Sequence, residues 1–289
     1  MPPKPPPLML GSVPITQGDA TLSRMALLLW GPSGAGKTTY AATAPGKKLW
    51  LSFGDQEHIS VQHRSDVLIA KLYDMTIEDM FKHGQNDNPF GLDQLLSDNE
   101  EIATVVCDSI TAIAYRALQK SVLVSKTGSG RGFTPTMEAP GIAAYGGRNA
   151  IVLEVLTGLL RVTAKHNVNF IATAHEDDPT TVQVNGQDMI DYIGVMLGGK
   201  IVNNVAWRLS EIWYMSQEET GDRLRRLAIR PTRKRKPMKT RMFLNSQEPE
   251  FKIDYDAEKP DKGQMTITSF IGKWEANDMR KIEAPRVKR

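Results

Sequence analysis

The sequence predicts an α/β fold, a mainly parallel central sheet flanked by helices with an antiparallel hairpin near its C-terminal end. Three observations predict it. Short uninterrupted apolar runs alternate with helix-like segments, the pattern of strands covered on both faces. One run, Met25-Ala-Leu-Leu-Leu-Trp30, feeds Gly31-Pro32-Ser33-Gly34-Ala35-Gly36-Lys37-Thr38, which fits G-x-x-x-x-G-K-[ST] between a strand and a helix. Two later runs end on polar residues, Asp108 and His175, at strand carboxyl ends, where open α/β sheets bind ligands.

Taken in order, residues 1–20 read as an arm. Five of the first seven residues are proline, which disfavours a helix or a central strand. Leu27–Trp30 is the first buried strand. A helix begins at Lys37 and runs to Thr43, where Pro45-Gly46 stops it. Leu49–Phe53 and Val67–Tyr73 are the next strands, and residues 76–101 read as helical with Leu92, Leu95 and Leu96 on one face. Thr104–Cys107 is a strand and Ile110–Ser125 an amphipathic helix. A glycine-rich loop, Lys126–Gly141, separates it from a long helix over Ile142–His166. Asn169–His175 is the next strand, and Glu176–Asp191 reads as a polar loop. Glu211–Met215 and Leu224–Ile229 read as a hairpin around Thr220-Gly221. The domain plan is therefore an arm (1–20), an α/β core (21–255) and a C-terminal segment (256–289), patterned only over Met265–Trp274.

Composition narrows the class. A chain of 289 residues, 40% hydrophobic, suits one α/β domain with a small appendage. The single Cys107 allows no internal disulfide, which fits a reducing cytoplasm. No apolar run reaches a membrane span, and no signal-peptide core is present, so a membrane role is not expected. The net charge of +3 conceals an asymmetry: Arg223–Arg241 holds ten Lys or Arg and no acid, so subtracting ten leaves the remainder at −7. Such a block binds nucleic acid or a neighbour's phosphates, or is a solvated hairpin. The end, Arg280–Arg289, is basic too.

The glycine loop states its chemistry directly. Its backbone N–H groups and the following helix N-terminus converge on phosphate oxygens. Residues Gly31 to Thr38, with Thr39, are thus the nucleotide-binding set. Lys37 reaches the β- and γ-phosphates of ATP, and Thr38 holds Mg²⁺. Asp108 is placed to support Mg²⁺; the plainer reading is a cap for the helix from Ile110, which Asp108 or Ser109 fits equally. The next residue is Ser109 rather than Glu, so a base must come from elsewhere. Glu57, just past the second strand in Phe53-Gly-Asp-Gln-Glu57-His58, is the candidate, against the plainer reading of a surface turn. His58 and His63 have no metal-ligand spacing around them.

In order, these are the P-loop, strand-Asp-x-Glu-His, Val-Val-Cys-Asp-Ser and Phe-Ile-Ala-Thr-Ala-His. Together they resemble the RecA-type recombinase core, and more closely the short phage single-strand annealing proteins that keep only this core. The resemblance covers roughly residues 24–245. It implies that Glu57 is the catalytic base and that His175 senses the γ-phosphate. It implies DNA-binding loops at 126–141, with Lys126, Arg131 and Phe133, and at 176–199, continuing through Gly198, Gly199, Lys200, Asn203 and Asn204. It implies that basic residues from Arg233, Lys234, Arg235 and Lys236 enter a neighbour's ATP site. The activity implied is DNA-stimulated ATP hydrolysis during single-strand annealing or strand exchange, in phage recombination. The implied partners are single-stranded DNA, further copies of the chain in a filament ahead of a ring, and a single-strand DNA-binding protein, in the host cytoplasm. Two alternatives stay open: a hexameric RecA-fold helicase or loader, and a P-loop nucleotide switch without a DNA role.

Overall fold

The computed structural model describes residues 9–10, 13–14, 24–128, 135–184, 186–217, 225–230, 232, 234–242, 250–253 and 265–275. The strands of the main sheet are β1 (Ala26–Gly31), β2 (Lys47–Ser52), β3 (Val67–Lys71), β4 (Ile102–Asp108) and β5 (Asn169–His175), followed by β8 (Glu211–Gln217), β9 (Arg225–Ala228) and β11 (Glu250–Ile253). Between them lie β6 (Thr180–Val184), β7 (Gln187–Gly194) and β10 (Arg235–Lys236), which form a separate small sheet. The helices are α1 (Lys37–Ala41), α2 (Ile77–Gly84), α3 (Leu92–Asp98), α4 (Ile110–Gly128), α5 (Gly141–Lys165), α6 (Ile201–Arg208) and α7 (Ile267–Glu275). Near the N-terminus, Met9–Leu10 pairs antiparallel with Val13–Pro14.

The main sheet runs β11-β9-β8-β1-β5-β4-β2-β3. From β8 to β3 every pairing is parallel, and β9 and β11 add on antiparallel. The expected parallel sheet with a C-terminal antiparallel hairpin is therefore present. Alternation along each strand splits the core in two. Leu28, Trp30, Leu51, Phe170 and Ile212 face one layer with α2 to α6, while Leu27, Leu29, Trp50, Ile171 and Trp213 face the other with α1 and α7. Trp30, Trp50 and Trp213 are completely buried.

Register sets the site. Gly31 pairs with His175, and Ser52 with Asp108. The glycine loop, Glu57, Asp108 and His175 therefore emerge from one end of the sheet. β5 lies between β1 and β4, so the Asp108 strand does not touch the P-loop strand directly.

Two elements differ from expectation. Residues 76–101 form two helices, because Pro89 and a left-handed Phe90-Gly91 pair (φ 56° and 69°) break the run. Leu92 and Leu96 are buried, but Leu95 faces outward. The segment 176–191 is not a loop: Thr180–Val184 and Gln187–Gly194 form an antiparallel hairpin turning at Gly186. Its alternation was hidden because both faces of the hairpin are solvated and carry polar residues among Val182, Val184, Met189 and Ile190. The expected turn at Thr220-Gly221 lies outside the described residues.

Candidate active site

The P-loop is shaped by its neighbours as well as by its phosphate chemistry. A Cβ on Gly31 would lie 2.0 Å from the Met215 carbonyl oxygen of adjacent β8, so only glycine lets the loop leave the sheet there. Gly36, at φ 88°, is left-handed and opens α1. Lys37 is buried and its ammonium donates to the carbonyls of Gly31 (2.9 Å) and Pro32 (2.7 Å). Burial pulls its pKa down to about 8, against the attraction of Asp108, Glu176 and Glu57.

Asp108 is 3% exposed and holds the centre. Its Oδ2 accepts from the Thr38 hydroxyl (3.1 Å) and the Trp50 indole (3.2 Å), and Oδ1 bonds the Thr173 hydroxyl. Thr173 comes from β5, the strand between Asp108 and the P-loop. Burial pushes the Asp108 pKa up, while the Thr173, Thr38 and Trp50 hydrogen bonds and Lys37 pull it down. The cap reading for Asp108 passes to Ser109, whose hydroxyl accepts from the Ala112 N–H (3.1 Å) at the start of α4.

Glu57 is not a surface turn residue. Its carboxylate accepts from the Ser109 hydroxyl (2.8 Å) and the Gly54 N–H (2.9 Å), so the residue after Asp108 anchors it. A Cβ on Gly54 would lie 2.5 Å from the Glu57 carboxyl carbon, and glycine there leaves room for the fold-back. Burial, then the charge of Asp108, pushes the Glu57 pKa up to about 7. His175 Nε2 stands 4.0 Å from Glu57 Oε1. Burial and the Lys37 charge lower the His175 pKa, which favours the neutral ring. His58 is buried, stacked on Tyr73 and 3.2 Å from the Ser52 hydroxyl, and is structural.

The strand ending at His175 is wired to the segment after it. The His175 carbonyl accepts from Met196 N–H (2.9 Å), and Glu176 N–H donates to the Gly31 carbonyl (3.1 Å). Glu176 also accepts from the Tyr214 hydroxyl (2.9 Å). The basic segment joins the same surface: Arg235 pairs with Ile193 and Lys236 with Gly194 in the small sheet. Arg235 bonds Glu250 and lies over the Tyr214 ring at 4.4 Å, so it is occupied within its own chain. Lys234 and Lys236 are exposed. Gly198 and Gly199 are left-handed, and Lys200, Asn203 and Asn204 lie exposed at the start of α6. Lys126 lies in the last turns of α4, while Arg131, Phe133 and Arg233 lie outside the described residues.

The structure thus brings Lys37, Thr38, Asp108, Glu57 and His175 together. Sequence reasoning missed Thr173, Trp50, Ser109 as the anchor of Glu57, and Glu176 with Tyr214. Only Ser109 carried a sequence signal, its adjacency to Asp108.

A family model described as an AAA domain matches residues 23–242, more than half of the chain. Among solved structures, the crystal structure of the KaiC-like protein PH0186 from the hyperthermophilic archaeon Pyrococcus horikoshii OT3 is similar with a TM-score of 0.44 at 14% identity, covering 81% of this chain and 87% of that one. No curated protein matches the chain.

Proposed function

This chain belongs to the AAA-domain family, and from that premise we propose that its RecA-like P-loop ATPase works on single-stranded DNA. Copies of the chain would assemble along the strand with ATP between them and promote annealing or strand exchange.

The donor set suits a magnesium nucleotide. Among the described residues no three His, Cys, Asp or Glu side chains cluster as a metal site. A divalent ion beside Thr38 and Asp108 would therefore be held by one hydroxyl, one carboxylate and the phosphates, as magnesium is. When bound, that ion neutralises charge developing on the phosphoryl oxygens. Lys37 exchanges its two carbonyl partners for phosphate oxygens. Glu57 orients the attacking water and takes its proton, for which a pKa of about 7 is well matched. Ser109 and the Gly54 N–H hold that carboxylate in place. Lys234 or Lys236 of a neighbouring copy would complete the site.

The observation that carries the DNA reading is the hydrogen bond from Met196 N–H to the His175 carbonyl. It joins His175, the residue we assign to sensing the γ-phosphate, to Met196, two residues before the Gly198–Asn204 segment. Motion of His175 on hydrolysis would shift that segment directly. Linkage then requires ATP to tighten DNA binding and DNA to tighten ATP binding by the same factor.

The test is imaging with single-stranded DNA and a slowly hydrolysed ATP analogue, with controls lacking each. Filaments requiring both support the reading. Closed rings put the motor alternative ahead, and lone monomers that ignore DNA leave the nucleotide switch.

A further inference from the structure

The opposite end of the sheet carries a second, unassigned polar site. A cavity of about 290 Å³ opens beside the first residues of β1 and β8, lined by Arg24, Trp207, Arg208, Ser210, Arg241 and Trp274 among others. Among the described residues no Asp or Glu lines it. β1 separates it from the P-loop by about 17 Å of strand, at roughly 3.3 Å per residue.

Arg24 is the informative residue. Its Nη1 is buried and has no hydrogen-bond partner among the described residues. Desolvation lowers its pKa, and no neighbouring acid opposes that. A buried guanidinium nitrogen without a partner is costly, so its persistence needs an explanation. Arg208 stands at the rim: its guanidinium turns toward α5, donating to Thr157 Oγ1 at 3.0 Å and the Asn204 carbonyl at 2.6 Å, and there it lines a second groove with Asp87 and Glu154. The nearest acid in sequence, Glu211, accepts from the Arg241 and Met242 N–H groups and the Trp213 indole instead. Arg24 and Arg241 thus line the cavity with no carboxylate beside them among the described residues.

Beside them stands Trp207, 84% exposed on α6. A large indole in solvent beside these cations suits a planar anionic ligand. Lys200, Asn203, Asn204, Trp207 and Arg208 also follow the i, i+3, i+4, i+7 spacing of one helix face. That face runs from the Gly198-Gly199 turn to the cavity over about 10 Å of helix.

We propose that this cavity holds a backbone phosphate of single-stranded nucleic acid, with Arg24 and Arg241 on the phosphate and the adjoining base stacked on Trp207. The proposal deepens the DNA reading above and rests on it. It adds a contact at the end of the sheet away from ATP, reached along the exposed face of α6. The volume lies at the small end of ligand pockets, sized for one nucleotide unit rather than a folded partner. Stacking on the indole is tolerant of sequence, as a general recombinase needs.

The test measures labelled oligodeoxythymidine binding by anisotropy over a salt series, with the slowly hydrolysed ATP analogue present. Trp207→Ala should weaken binding roughly five- to hundredfold, and Trp207→Phe should recover most of it. Arg24→Met and Arg241→Gln should each flatten the slope of log K against log salt by about 0.7. Acrylamide quenching gives an independent readout. Trp30, Trp50 and Trp213 are 0% exposed, so quenchable emission arises from Trp207 and Trp274 and should be protected by the oligonucleotide. Because Trp207 is on the surface, its variants test the idea even if an arginine variant folds poorly. If the wild type binds and all variants match it in affinity and slope, the cavity is not on the strand's path and this proposal falls alone. If the wild type binds no oligonucleotide in any nucleotide state, the DNA reading falls and takes this proposal with it.

Discussion

The two ends of β1 solve opposite problems. At Gly31 the charged side chains have their partners: Lys37 on two carbonyls, Asp108 among Thr38, Trp50 and Thr173, and Glu57 between Ser109 and Gly54. At Arg24 a buried guanidinium nitrogen has no partner, and no acid lines the cavity it shares with Arg241, among the described residues. The first end is preorganised, holding its groups in place before a ligand arrives. The second is held in deficit, and an anion would relieve it. The difference teaches that a closed hydrogen-bond network marks a site built for chemistry, whereas an open one marks a site built for capture.

The largest expected effect tests the closed end. Glu57→Gln should cut turnover by roughly 10²–10⁴ while nucleotide affinity is kept, measured by steady-state hydrolysis and nucleotide titration. Wild-type turnover would move the base elsewhere. Lys37→Ala should lower turnover by about 10²–10³ and weaken nucleotide binding as well, since it removes a charge that stabilises the transferring phosphoryl group.

Next is a pair of deletions that should differ in sign. Thr173→Val strips a donor from buried Asp108 and should cost roughly 1–3 kcal/mol, several degrees in Tm. Arg24→Met removes a partly buried charge that has no counter-ion among the described residues, and should leave Tm unchanged or raise it by a degree or two, roughly 0.5 kcal/mol. A matching loss of Tm at both ends would erase the contrast drawn here.

The smallest effect is a pH dependence. Glu57 has a folded pKa of about 7, above its ordinary value of 4.5, so between these pH values the folded state holds a proton that the unfolded state has released. Stability should therefore fall as pH rises from about 4.5 to about 7 and level off beyond, by roughly 1–3 kcal/mol at most from this group. The slope should vanish in Glu57→Gln, as followed by thermal unfolding. Turnover should move the opposite way, rising through pH 7 as the base ionises.

The sequence by itself determined what contiguous residues decide. A strand, a glycine loop and a helix following one another leave the backbone little choice, because sterics permit the turn only with glycine at those positions. The P-loop, the parallel strands and the ends carrying Asp108 and His175 were legible for that reason. Glu57 was legible as a candidate because it sits just past a strand end, but its anchoring by Ser109 was not, because that bond spans two strands. Thr173 and Trp50 looked like ordinary strand residues, and only the insertion of β5 between β1 and β4 turns Thr173 toward Asp108. The hairpin at 180–194 escaped notice because a strand pair solvated on both faces leaves no clean apolar period. The meeting of Arg24 and Arg241 at one cavity was out of reach altogether. Those residues meet because β1 and β8 lie side by side, and strand order is fixed by the packing of the whole sheet rather than by any local spacing.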